Sequence, residues 1–360
     1  MRRLGISVYP GHASLGDNLA YIDLAGSYGF KRVFTCLISA DTSNIDDFKQ
    51  VATRAKAYDM EVIADVSPEV FEKLGVSIHD LKAFSDLGLD GIRLDLGFSG
   101  NEESIMSCNP YGLKIELNMS NGTRYLENIL SYQPVKANIY GCHNFYPHRY
   151  TGLDYDHFIM CSDQFKSLGI KTAAFVNSSH AHFGPWPVDE GLCTLEEHRD
   201  LNIVTQAKAL FNTGLIDDVI VANCFASEEE LKALSEMNKE VLELTVELFD
   251  DISDIEKTIV LNEPHFNRGD VSSYMIRSTQ SRVKYKNEEF PPKHTDDMTK
   301  GDILIDSSLY KRYAGELQLA KLPMKNSGKT SRVGRVIEEE LFLIDTIKPW
   351  QKFKFVLKEG

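Results

Sequence analysis

The stretch CHNFYPHRYTGLDYDHF, residues 142–158, crowds three histidines, several aromatic rings and an arginine around a proline-marked turn. It directly follows PVKANIYG, an apolar run that reads as a buried strand. Aromatic faces stack on sugar rings, and His, Asn and Arg hydrogen-bond hydroxyl, phosphate or carboxylate groups. His143, Asn144, Tyr146 and Arg149 are therefore candidate binding residues, set against the alternative of a locally packed aromatic loop. A second group consists of acids and amides near the ends of strand-like runs. Asp65, Asp95 and Glu116 are candidate catalytic carboxylates; Asn118, Asn138 and Asn177 lie at comparable positions, and Arg93 shares a strand face with Asp95. Buried carboxylates are costly unless paired, so this set must be ion-paired, solvated or functional. An Arg93–Asp95 ion pair is the structural alternative to catalysis.

Other motifs carry less. Lys114, Lys136 and Lys171 each stand second in their strand-like runs, at the opposite end from the carboxylates. Schiff-base and pyridoxal-phosphate chemistry needs a lysine at the catalytic rim, so both are disfavoured. The long segment 178–199 contains His180, His182, Trp186, Asp189 and Glu190. An HxH pair can hold a metal, but a flap over the site is the preferred reading, with Glu190 a candidate substrate contact. SGKT at 327–330 lacks the earlier glycine of a phosphate loop, because Pro323 occupies that place. NEP at 262–264 occurs on a catalytic strand of some glycosidases but falls here after the eighth strand-like run, and reads as coincidence. No metal and no cofactor are expected.

These groups need a scaffold. Eight strand-like runs, at 4–10, 32–39, 61–68, 90–97, 113–120, 135–141, 170–179 and 217–223, alternate with helical stretches. The helical patterns include 17–29 with Asp17 as N-cap, 45–59, 78–87, 156–168, 199–213 and a long helix over 227–248. Count and length match a (β/α)8 TIM barrel, and no GxGxxG supports a doubly wound sheet. Active-site residues of such barrels sit at the C-terminal ends of the strands, where most of the candidates lie. Beyond residue 250 short alternating runs, TIVLNEP, SYMIRST, GDILIDS, AGELQLAK and LFLIDTI, predict a small β-rich domain. The expected domains are 1–250 and 251–360.

The 360 residues carry 53 acidic and 39 basic groups, a net charge of −14, which argues against nucleic-acid binding. The tail after residue 250 holds 19 basic against 17 acidic residues, so the body before it bears the negative charge. Six scattered cysteines without paired spacing fit a reducing compartment. The N-terminus is too weakly apolar for a signal peptide, and no run is long enough to span a membrane. A soluble cytoplasmic protein is expected, of unspecified oligomeric state.

HNFYPHRYTGL, GPWPVDEGLCTLEEHR, LGISVYPGHAS and YMIRSTQSR together resemble the bacterial 6-phospho-N-acetylmuramidases of the MupG type, over essentially the whole chain. The resemblance implies a TIM barrel followed by a cyclophilin-like β domain. It also implies cleavage of 6-phospho-N-acetylmuramyl-N-acetylglucosamine, formed when a phosphotransferase system imports peptidoglycan disaccharide. Glycoside hydrolysis needs two carboxyl groups, or one together with the substrate's acetamido group. Asp95 and Glu116 lead as catalytic candidates, with Asp65 third. The anionic substrate needs cations, and Arg277 and Arg282 with Ser278 in the near-neutral tail are a candidate phosphate clamp. Another phosphosugar-acting barrel enzyme, a lyase or isomerase, and a non-catalytic sugar-binding protein are the competing expectations.

Overall fold

The computed structural model describes residues 2–38, 45–188 and 190–358; Ser39 of the second strand-like run and Asp189 fall outside them. The chain divides into two compact units, residues 1–237 and 238–360.

The first unit is a TIM barrel. Its eight strands are β1 (Arg3–Ser7), β2 (Arg32–Cys36), β3 (Glu61–Val66), β4 (Gly91–Leu94), β5 (Lys114–Asn118), β6 (Ile139–Cys142), β7 (Lys171–Val176) and β8 (Asp218–Val221). All neighbours pair in parallel, and β8 closes on β1. The strands are apolar on their outward faces, which the helices cover, whereas their inward faces carry charged residues at both ends of the barrel and an apolar layer between. Ile6, Val33, Val62, Ile92 and Ile115 point outward into the layer of surrounding helices. Phe34, Cys142, Phe175, Ile220 and Cys224 alternate with them and fill the barrel's middle.

Local chemistry sets the helix starts. Ser14 caps the helix Leu15–Ser27 by accepting from the Asp17 N–H, so Asp17 is a first-turn acid and not the cap expected from sequence. Asp154 caps Tyr155–Ser167, and Asn202 caps Ile203–Asn212. The helix expected over 227–248 stops at Glu236. Asn238 then accepts from the Glu240 and Val241 N–H groups in a turn, and Leu242–Leu248 alternates buried and less buried residues as strand β9. The period there is two, not 3.6, so the second unit begins at Asn238 and not at 251.

That unit is a seven-stranded mixed sheet in the order β10-β15-β9-β14-β12-β13-β11. Its other strands are β10 (His265–Phe266), β11 (Met275–Ser278), β12 (Asp302–Asp306), β13 (Leu317–Ala320), β14 (Thr330–Val336) and β15 (Lys352–Leu357). Two runs expected as strands are mostly helical: 258–264 belongs mostly to the helix Asp254–Asn262, started by the Ser253–Glu256 capping box, and 341–346 lies in a 3-10 stretch, Glu338–Thr346. Glu263 of the NEP tripeptide is held within this unit by Lys284 and Tyr285.

Candidate active site

At the C-terminal ends of the barrel strands, one guanidinium organises the polar groups. Arg93 is 3% exposed and reaches up from β4. Its Nη1 donates to Asp65 Oδ1 at 2.8 Å and to Asp95 Oδ1 at 3.4 Å, and its Nη2 donates to Asn144 Oδ1. Asn118, at the end of β5, donates to Asp95 Oδ1 at 3.4 Å. These groups open into a cavity of about 250 Å3 lined by Asp65, Arg93, Asp95 and Asn144, with Tyr146 and Trp186 among its aromatic walls. Phe145 and Phe175 complete the walls and pack edge-on with ring centroids 5.1 Å apart. Sequence reasoning missed Phe175, although it shares the inward face of β7 with Ala173.

The two acids differ in setting. Asp65 is nearly buried, whereas the Asp95 side chain is 42% exposed. Burial pushes the Asp65 carboxyl up to about 6; Arg93 opposes the shift and the neighbouring Asp95 charge adds to it.

His143 does not line the cavity. It is completely buried and packs tilted against Phe158, with Nδ1 3.2 Å from Ser120 Oγ and Nε2 2.9 Å from Ser162 Oγ. Burial lowers its pKa to about 3, so the ring is neutral. Ser120 Oγ in turn accepts from the Asn144 N–H at 2.9 Å, so His143 supports the turn that presents Asn144.

Several other candidates lie away from the mouth. Glu116 is fully buried, and both its oxygens accept from Arg32 Nη2. The residue of β5 that meets Asp95 is Asn118, two positions further along the same face. Asn138 precedes β6, in the 3-10 turn Lys136–Asn138; it accepts from Lys114 Nζ and donates to Ser107 O at the strand-start end of the barrel. The apolar run read as one strand from residue 135 breaks there, because Asn138 N–H bonds back to Val135 O. Asn177 is 5% exposed and donates to Arg199 O. Arg149 forms a two-pronged pair with Asp200, and its N–H donates to Glu190 Oε2. Of the segment 178–199 read as a flap, Trp186 lines the cavity, and the later part is tied down: Arg199 donates to the carbonyls of Tyr146, Glu190 and Gly191. Among the described residues no three His, Cys, Asp or Glu side chains are grouped to hold a metal ion, and no helix is long and apolar enough to cross a membrane.

In the second unit, Arg277 and Arg282 both pair with Glu316, at 2.7 and 2.8 Å. Ser278 is buried, its Oγ 3.1 Å from His265 Nδ1.

An acidic pair on an arginine, at the mouth of a TIM barrel walled with aromatic rings, marks a candidate site of an enzyme, and the family models below make that enzyme a glycosidase. Comparison with known proteins is specific. The N-terminal model of the 6-phospho-N-acetylmuramidases matches residues 4–236 and the C-terminal model matches residues 242–356. The chain belongs to the 6-phospho-N-acetylmuramidase family, and its substrate is a phosphorylated sugar. A crystal structure of an uncharacterized B. cereus protein is similar at 48% identity and TM-score 0.93, covering 99% of both chains. A conserved Enterococcus faecalis protein of unknown function is similar at 25% identity and TM-score 0.71, covering 99% of this chain and 96% of the other. No curated protein matches.

Proposed function

We propose that Asp65 and Asp95 carry out the cleavage of 6-phospho-N-acetylmuramyl-N-acetylglucosamine. Asp65 acts as general acid on the leaving oxygen, and Asp95 orients the acetamido group that attacks the anomeric carbon. The observation that carries this reading is the shared grip of Arg93 Nη1 on both carboxylates, at 2.8 and 3.4 Å. One donor atom shared by both carboxylates keeps the two acids adjacent, as acetamido assistance requires. A close pair suits a retaining course. An acid raised towards neutrality beside a more open carboxylate is also the division of labour that glycoside hydrolysis needs.

The aromatic walls from Tyr146 and Trp186 offer faces for sugar rings, and Asn118 and Asn144 offer amides for hydroxyl or acetamido groups. The reaction belongs to recycling of cell-wall disaccharide in the cytoplasm, where the six free cysteines meet reducing conditions.

The test is real-time proton NMR of the purified protein with the phosphorylated and the unphosphorylated disaccharide. Cleavage of the phosphorylated sugar alone is expected, with the product first appearing in the substrate's anomeric configuration. Cleavage of neither, or an inverted first product, overturns the reading.

A further inference from the structure

Two hydroxyls from distant parts of the chain hold the residue that follows β6 at the barrel mouth. Strands β6 and β7 pair as far as Cys142 and Ala173, with one further bond from the His143 N–H to Ala173 O at 3.0 Å. Beyond it a third segment intervenes. The Phe175 N–H donates to Thr194 Oγ1 at 2.9 Å, and the same hydroxyl donates to Asn144 O at 2.9 Å. One hydroxyl, which can accept and donate at once, thus joins the end of β7 to the residue after β6. Thr194 is fully buried and its backbone is anchored as well: its N–H donates to Phe175 O at 3.1 Å, and its carbonyl accepts from the Leu153 N–H at 2.9 Å. From the β5 side, Ser120 Oγ accepts from the Asn144 N–H at 2.9 Å.

The orientation of the Asn144 side chain follows from this clamp. A guanidinium only donates, so the amide turns its oxygen towards Arg93 Nη2. Among the described residues none accepts from Asn144 Nδ2, and that donor is left for the cavity that Asn144 lines. Backbone N–H, backbone carbonyl and side-chain oxygen are all taken by protein partners; the NH2 group remains for a ligand.

We propose that Thr194, with Ser120 across from it, is a positioning residue for the glycoside cleavage. The two hydroxyls hold Asn144 so that its oxygen steadies Arg93 while its NH2 donates to a substrate oxygen. Arg93 needs this third partner because a single Nη1 atom serves both Asp65 and Asp95. Neither Thr194 nor Ser120 lines the cavity, so both act through Asn144. A threonine suits the place: valine has its shape without the hydroxyl, and serine keeps the hydroxyl. The assignment rests on the reading of Asp65 and Asp95 as the reacting pair.

The test is steady-state kinetics of the full chain on the phosphorylated disaccharide, for Thr194→Val, Thr194→Ser, Asn144→Ala and the double variant Thr194→Val/Asn144→Ala. Thr194→Val should lower kcat about tenfold or more by misplacing the reacting groups, and Thr194→Ser should recover most of that loss. Asn144→Ala should lose at least as much. The double variant should lose no more than Asn144→Ala alone, because Thr194 acts through a side chain that is already gone. Where Thr194→Val does not fold, Ser120→Ala at the other pin takes its place, and parental kcat there overturns the proposal. So do parental kcat in folded Thr194→Val, a Thr194→Ser as impaired as Thr194→Val, or losses that add fully in the double variant. Asp65→Asn and Asp95→Asn on the same substrate keep the two questions apart. Parental turnover in both removes the reacting pair and this role with it, whereas their loss of turnover beside an unimpaired Thr194→Val removes this role alone.

Discussion

The barrel holds two arginine–carboxylate clusters built from the same residue types, one at each end of its strands. At the strand starts, Arg3, Arg32 and Lys171 face Glu61, Glu116 and Asp218, three cations against three anions. Burial opposes ionisation of Asp218, but its arginine and lysine partners outweigh it and hold the carboxyl down at about 2. At the strand ends, one arginine serves two acids, one acid is raised to about 6, and a cavity opens above them. The first cluster is balanced in charge, and its core, Arg32, Glu116 and Asp218, is withdrawn from solvent. The second is short of cation and open to a ligand. Charge balance and access, not residue type, separate a structural ion network from a chemical one.

The comparison can be broken at either end. The largest effect belongs to the strand-start cluster. Arg32→Met leaves Glu116 buried without its counter-ion and should cost about 3–5 kcal/mol of stability, read as a lowered denaturation midpoint. A variant as stable as the parent would show that the network is not what holds the strand starts. At the mouth the expected effect is on turnover and not on folding. Asp65→Asn and Asp95→Asn keep shape and remove charge, and each should lower kcat by roughly 10²-fold or more. Glu116→Gln, beneath them, should leave the turnover of folded protein nearly intact. A reversal, with Glu116→Gln inactive and both aspartate variants active, would move the chemistry down to the strand-start layer.

The alternation of apolar strands and helical stretches made the barrel legible, because parallel strands whose outward faces are covered by helices read as largely apolar runs. The mouth was half legible. Asp65, Arg93, Asp95, Asn118, Asn144 and Tyr146 do converge there, since strand ends and the segments that follow them face the same opening. Glu116 and Asn138 were grouped with them because a run of sequence does not show where its strand begins or how far along it a layer lies. Two residues separate Glu116 from Asn118, and those two positions divide the interior from the mouth. His143 misled for another reason: a polar ring beside aromatic residues reads as a binding group, whereas two serines contributed by distant parts of the chain satisfy it inside the core. The strand β9 was hidden because LELTVEL continues a helix-forming composition while its burial changes period.

The most direct test of the account is the dependence of kcat/KM on pH in the parent enzyme and in Asp65→Asn, between about pH 4 and 9. A general acid works in its protonated form, so activity should be present below its pKa and lost as pH rises through it. With the Asp65 carboxyl raised to about 6 by burial, the parent should lose kcat/KM about tenfold per pH unit above that value. The residual activity of Asp65→Asn should lack this limb. A limb near 6 that survives in Asp65→Asn beyond the one set by the substrate phosphate's own ionisation at about 6 would contradict the assignment and place the acid on another residue.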